Sequence, residues 1–217
     1  LGHEIAIHGH SHSAPGLNRP IDIINEILTC RQRLENQFGG IIRGMAYPDS
    51  GITRFGNGAN YENIKRYLTD LDIAYARTLG GDNDSFTFPT DWHSWMPSAH
   101  HDNPHIFEFI EKFLSFDMQK AYSANRYPRL FYIWGHSYEF DNNDNWDRIE
   151  TFAEKMSGHE DVWYATNTEI FEYIEAFKAL RFTVDMEKAY NPTATPVWFI
   201  FHETLYEVGA GQTVDLH

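Results

Sequence analysis

Strand-like and helix-like segments alternate along the first 180 residues, and this alternation restricts the chain to few folds. Short apolar runs predict strands at residues 4–7, 41–47, 73–79, 129–134 and 162–165. Apolar residues at helical spacing predict helices at residues 20–38, 61–71, 104–122, 146–156 and 167–180. Strands that alternate with helices are typical of an α/β fold with a parallel sheet.

The pattern changes near the carboxyl terminus. Short strands separated by turn residues are predicted at residues 197–201, 205–208 and 213–216. We therefore expect residues 1–181 to form the main α/β domain and residues 182–217 to form a small β-strand extension without catalytic residues. Because the chain begins inside a strand-like pattern, we also expect a further segment to precede it.

Composition excludes several classes of function. The 217 residues suffice for one sizeable domain, and 17 basic and 31 acidic residues give a net charge of −14. This balance argues against binding to nucleic acid or to anionic membranes. No apolar run is long enough to insert into a bilayer, and the lone Cys30 excludes an internal disulfide while leaving the compartment open.

Histidines are concentrated at the start of the chain. Four of the twelve histidines lie within residues 2–12, where a strand-like segment runs into a loop at Gly9. His8 and His12 converge if the chain turns helically, and they share one face if it stays extended. Imidazole is a common ligand for zinc and similar ions, so the pair predicts a metal site. The pattern is not H-E-x-x-H, which excludes the usual zinc-protease motif.

Chemically active residues also follow the other predicted strands. These are Arg43 and Tyr47, then Asp91, Trp92 and His100, and finally Trp134 and His136. Active residues collect at the carboxyl ends of strands in α/β folds, so we expect most of this set to face one opening. Two of them have ordinary alternatives, because Arg43 can simply pair with a carboxylate and Asp91 can simply serve a turn.

Residues 2 to 180 resemble the polysaccharide deacetylases of carbohydrate esterase family 4. Gly2 to His12 is similar to that family's second motif, G-H-E-I followed by H-[ST]-x-x-H, with Gly9 in place of Ser or Thr. Arg43 with Tyr47-Pro48 resembles the third motif, and Asp91-Trp92 loosely resembles the fourth. Trp134-Gly135-His136 resembles the fifth, with Trp134 in place of leucine. The first motif, which contains an Asp-Asp pair, is absent from this chain.

The resemblance implies an irregular (β/α) barrel, incomplete at its N-terminus, and metal-assisted hydrolysis of N-acetyl groups on a polysaccharide or oligosaccharide. It implies that His8 and His12 bind a divalent ion, most often zinc, with cobalt or nickel as other choices. His136 would be the general acid, Arg43 and Asp91 would support catalysis, and a group of ring residues would line the groove. That group consists of Tyr47, Trp92, Trp134 and His100.

Two further hypotheses stay open. Because the missing first motif supplies the general base and the third metal ligand in the family, the chain could instead be a carbohydrate-binding or vestigial domain without turnover. Because Trp134 borders the acetyl pocket in place of leucine, the substrate could also be a small amide that is not a sugar.

Overall fold

A computed structural model describes residues 2–80, 86–117 and 127–217 of the protein. The chain divides into two compact units, Ile5–Trp163 and, separately, the residues up to Glu4 together with Tyr164–His217. This division places the last helix with the carboxyl-terminal strands, whereas the sequence suggested a boundary after residue 181. No helix in the described ranges has the length and apolar character needed to cross a membrane.

The larger unit is a mixed α/β structure with short parallel ladders. Its helices are α1 (Pro20–Phe38), α2 (Tyr61–Asp70), α3 (Ile106–Leu114), α4 (Ser137–Asn143) and α5 (Trp146–Met156), with 3-10 turns at Pro15–Leu17 and Trp92–Ser94. Its strands are β1 (Gly44–Ala46), β2 (Tyr75–Arg77), β3 (Ala99–His100) and β4 (Ile133–Trp134). β1 pairs with β2, and β3 pairs with β4, both in parallel. Single parallel bridges extend the first pair, from Ile7 to Met45 and from Arg77 to Trp95.

The predicted α/β alternation and parallel pairing are therefore present. The described residues form no closed barrel, and the irregular barrel stays a prediction. Helix α3 ends at Leu114, while the last part of the helix predicted for 104–122 lies outside the described residues.

The hydrogen-bonded strands are shorter than the apolar runs that predicted them. The run at 41–47 yields three strand residues, the run at 129–134 yields two, and the run at 4–7 yields one bridge. Ile42 and Ile73 are buried although they lie outside the ladders. Apolar runs indicate which residues are buried and do not indicate which residues form strand hydrogen bonds, so the predicted strands are longer than the observed ones. Residues 162–165 form no strand, and Trp163 is exposed in this segment.

The core of the larger unit packs two helices against the first ladder. Helix α1 buries Ile23 and Ile27, and α2 buries Ile64 and Leu68; each pair is four residues apart and so shares one helix face. These four side chains join Ile7 and Met45 in one buried cluster. Each fully buried side chain of this size contributes about 1.5–3 kcal/mol of transfer free energy. This cluster holds His8 in place because His8 directly follows Ile7.

The smaller unit contains α6 (Asn167–Lys178) and strands β5 (Arg181–Phe182), β6 (Lys188–Tyr190), β7 (Val197–Phe201), β8 (Thr204–Val208) and β9 (Thr213–Asp215). Strand β6 lies between β5 and β9, and β7 and β8 form an antiparallel hairpin. Thr166 and Glu169 have the T-x-x-E spacing of a capping box, and they bond reciprocally at the start of α6. Glu4 adds to this cap by accepting hydrogen bonds from the Thr168 amide and hydroxyl.

Candidate metal and acid–base site

The structure brings the rings of His8 and His12 together. The chain turns at Gly9, whose φ is 78°, and the two ring centroids lie 4.8 Å apart, edge to face. His8 Nδ1 lies 2.9 Å from the carbonyl oxygen of Ala46. A carbonyl can only accept, so this contact places the proton on Nδ1 and leaves the Nε2 lone pair for a ligand. This arrangement is common for histidines that bind metals.

A carboxylate on α1 holds the loop between the two histidines. Glu26 accepts hydrogen bonds from the Ser11 amide at 2.7 Å and from the Ser11 hydroxyl at 2.6 Å. A side chain at Gly9 would approach both Glu26 and Pro48 to 3.3 Å, closer than ordinary contact. Glu26, which the sequence analysis did not identify, therefore holds the loop in the conformation that brings His8 and His12 together.

A second cluster forms where β3 and β4 end side by side. The His100 ring lies 4.7 Å from the Trp134 ring and 6.5 Å from the His136 ring. Trp134 lies 5.8 Å from His136, and Tyr138 stacks on the other side of His136 at 5.1 Å. The parallel register of β3 with β4 causes this convergence, because it pairs His100 with Trp134. Three of the residues predicted for the site therefore meet here.

Glu139 connects the members of this second cluster. Its Oε2 lies 2.6 Å from His101 Nε2 and accepts the His136 amide at 3.1 Å. Its Oε1 lies 3.2 Å from His136 Nδ1, and Oε2 lies 3.2 Å from His100 Nε2. Burial alone would raise the pKa of Glu139, but the bonds from His101 and His136 outweigh it and lower the pKa to about 2. The carboxylate thus stays ionised and holds His136 at Nδ1.

His101 is the buried member of the cluster, with 4% of its side chain exposed. Its ring packs directly against Gly135, where an added Cβ would overlap the imidazole. Its ring also lies 4.3 Å from that of His100 and 4.3 Å from that of Phe140. Gly135 has a φ of 157°, so both its backbone and its missing side chain suit this close approach.

Electrostatic interactions connect the two histidine groups. Burial lowers the pKa of His8, although the hydrogen bond to Ala46 opposes this change. The charges of His12, Arg77 and His136 lower the pKa of His8 further. The charge of His136 is thus among those that lower the pKa of His8, and the shared opening for the two groups stays a prediction. Neutral histidine is the form that binds metal, so a lowered pKa favours binding near pH 7.

Arg77 is an arginine in contact with the second cluster. Its guanidinium carbon is 4.4 Å from the centre of the Trp134 ring, and its Nη1 donates to the Thr78 carbonyl at 3.1 Å. Only 9% of the residue is exposed, and this burial lowers the pKa of Arg77. Arg77 is the last residue of β2, so its position at a strand end was the signal that could have identified it.

Arg43 lies elsewhere. It precedes β1 at the amino end and forms a two-point ion pair with Asp72, at 2.8 Å from Nη2 and 3.1 Å from Nε. This contact matches the alternative that the sequence left open, a simple ion pair. A catalytic role for Arg43 stays a prediction.

Asp91 also has its own partners. It accepts hydrogen bonds from Tyr61 and Lys65, both at 2.7 Å, and caps the amide of His93 at 3.0 Å. In the ranges that the structure describes, no hydrogen bond joins Asp91 to His136. The cap at His93 matches the alternative of a turn residue, and the supporting role in catalysis stays a prediction.

Two of the predicted groove rings pack near this turn. Tyr47 is 1% exposed, and its hydroxyl donates to the His93 carbonyl at 2.7 Å. Trp92 makes an edge contact with Trp95 at 5.1 Å. A buried Tyr47 serves the core, so substrate binding by Tyr47 and Trp92 stays a prediction.

Two sets of described residues have the composition and spacing of a metal site: His100 with His136 and Glu139, and His100 with His101 and Asp102. In each set the ligand atoms lie within 4.8 Å of one another. Among described residues, His8 and His12 are not joined by a third such ligand at this spacing. Neither set is specific to zinc, because oxygen and nitrogen ligands suit several divalent ions.

Sequence reasoning did not identify Glu139 or Arg77. Glu139 lies three residues after His136 and therefore on the same helical face, which is the local signal that was available.

Comparison of the chain with protein-family models, with curated proteins and with solved structures finds no match. The class of protein therefore has to be argued from the site itself.

Proposed function

We propose that the protein is a metal-dependent hydrolase that removes N-acetyl groups from a polysaccharide or an oligosaccharide. The observation that carries this proposal is the pair of His8 and His12 rings, 4.8 Å apart. Metal-assisted amide hydrolysis uses such a metal site together with an acid for the leaving amine, and His136 is the candidate for that acid.

The metal ligands would be His8 and His12. Hydrogen bonding at His8 Nδ1 leaves Nε2 for the ion, and the loop contact to Glu26 holds His12 nearby. A divalent ion, most often zinc in such sites, would polarise the acetyl carbonyl and lower the pKa of a water molecule.

His136 would protonate the departing amine. Because Glu139 holds Nδ1, the proton for the amine is carried on Nε2. Glu139 remains a carboxylate at every pH where the protein would work, since its pKa is about 2.

Exposed aromatic rings beside His136 suit a sugar substrate. Tyr138 is 57% exposed and stacks on His136, and Trp134 lies on the other side of the cluster. Flat rings with one exposed face provide apolar surface next to polar groups, which matches the two faces of a pyranose. We place the acetylated sugar against these rings.

A second candidate is carbohydrate binding without turnover. The observation that favours it is that, in the described part of the chain, no carboxylate forms a ligand group with His8 and His12. Hydrolysis needs a base for the attacking water, and binding does not.

Acetate release separates the two candidates. The full chain is incubated with zinc or cobalt and N-acetylglucosamine oligomers, beside His12→Ala, His136→Ala and a control, His217→Ala, at an exposed terminal position. The proposal predicts release by the wild-type chain and the control, loss of activity and of the ion bound at His8 and His12 in His12→Ala, and loss of activity with that ion retained in His136→Ala. A metal-loaded wild-type chain that releases no acetate refutes the hydrolase, and saturable oligomer binding by that chain would then support the second candidate.

A further inference from the structure

His101 has one ring nitrogen that no hydrogen bond accounts for. Its Nδ1 is inaccessible to solvent and has no hydrogen-bond partner. The Asp102 carboxylate oxygen Oδ1 is 3.1 Å away but lies off the direction in which an N–H at Nδ1 would point. Buried polar atoms without a partner are rare and carry a free-energy penalty of about 1–3 kcal/mol. This atom therefore calls for a ligand.

The other ring nitrogen defines what kind of ligand. Nε2 of His101 lies 2.6 Å from Oε2 of Glu139, a short contact typical of a charge-assisted hydrogen bond. The carboxylate accepts, so Nε2 carries the proton and a neutral ring presents a lone pair at Nδ1. A carboxylate behind a histidine is the usual outer partner of a metal-binding imidazole, because it orients the ring and raises its basicity.

Two neighbouring residues offer further ligands. The Asp102 oxygen lies beside His101 Nδ1, and His100, His101 and Asp102 each offer one ligand atom, all within 4.8 Å of one another. Neighbouring ligand atoms around a tetrahedral zinc ion are separated by about 3.3 Å, given bonds of roughly 2.0–2.1 Å. The 3.1 Å between His101 Nδ1 and Asp102 Oδ1 is close to that separation. Asp102 and His100 are both partly exposed, which leaves a route for an ion.

We propose that His101 Nδ1, the Asp102 carboxylate and one ring nitrogen of His100 bind a divalent transition-metal ion, separate from the ion proposed at His8 and His12. The ligand set of two nitrogens and one oxygen suits zinc, cobalt or nickel. The ion takes up the lone pair at Nδ1 and keeps Glu139 fixed through Nε2. Since Glu139 also holds His136, the ion acts as a positioning element for that ring.

Metal titration tests this site without any activity measurement. The probe is Co²⁺, followed by its visible absorption and by calorimetry, with zinc as competitor. The starting chain is His8→Ala/His12→Ala, which removes the first pair of ligands. We expect this chain to bind one equivalent of cobalt with a d–d band characteristic of nitrogen and oxygen ligands.

Adding Asp102→Asn to that chain should weaken cobalt binding by at least ~10-fold, since it removes one charged ligand. Adding Glu139→Gln should weaken binding by roughly 10–100-fold through loss of the outer partner. The matched control is Asp144→Asn, which removes the same charge at the left-handed residue that ends α4, a position that Asn tolerates. Circular dichroism confirms that every variant is folded.

The site is refuted if the His8→Ala/His12→Ala chain binds no cobalt, or if Asp102→Asn binds it as tightly as Asp144→Asn. Absence of acetate release by wild-type chain would refute the proposed hydrolase but leaves these binding results unaffected.

Discussion

Replacement of Gly135 by alanine should destabilise the larger unit strongly. An added Cβ at this position overlaps the His101 ring, which is buried and bonded to Glu139 and therefore has little freedom to move. Overpacking of a filled interior site reduces stability by about 1–3 kcal/mol. The φ of 157° adds a backbone penalty of about 1–3 kcal/mol for any residue with a side chain. The total, about 2–6 kcal/mol, is a large part of the typical 5–15 kcal/mol of a folded domain.

Urea denaturation followed by tryptophan fluorescence measures this loss. The matched control is Gly40→Ala, because an added Cβ there meets no atom within 4 Å. A glycine-to-alanine change at an open position alters stability by less than about 1 kcal/mol. A further comparison is Gly135→Ala in a His101→Ala background, where the methyl group has room and only the backbone penalty should remain. If Gly135→Ala unfolds within about 0.5 kcal/mol of Gly40→Ala, the steric argument, and with it the placement of His101, is wrong.

Three further predictions follow from the charges and caps. Arg77→Met should raise the pKa of His8, because the guanidinium charge lowers it, whereas Arg77→Lys keeps the charge and should leave that pKa unchanged. NMR titration of His8 in both variants measures the difference. Equal His8 pKa values in the two variants would contradict the electrostatic effect of Arg77. Burial lowers the pKa values of His8 and of His100 in the folded chain. Below about pH 6.5 the unfolded chain therefore binds more protons than the folded chain. The free energy of unfolding should fall as the pH drops from 7 to 5.5. Urea midpoints at the two pH values test this, and an unchanged or higher midpoint at pH 5.5 would count against it. Glu4→Gln should weaken the smaller unit by about 1 kcal/mol through loss of the Thr168 cap, measured by thermal unfolding, whereas a loss near zero would show that the cap is dispensable.

The sequence by itself determined two helices, one helix cap and the first histidine pair. Apolar spacing located α1 and α5 within a residue of their observed bounds, because helical periodicity needs only local information. The spacing of His8 and His12 sufficed for convergence, because either local conformation of the loop brings them to one side. The capping box at Thr166 was equally readable, since both of its partners lie within one turn.

Only the tertiary structure decided which residues that are distant in sequence lie close together. Arg43 and Arg77 both lie within predicted strands, and only the observed pairing of β1 with β2 places Arg77 at the carboxyl end and Arg43 before the amino end. The contact between His101 and Glu139 spans 38 residues and depends on β3 ending beside β4. Interactions of this kind are set by the packing of separate elements, and no spacing along the chain encodes them.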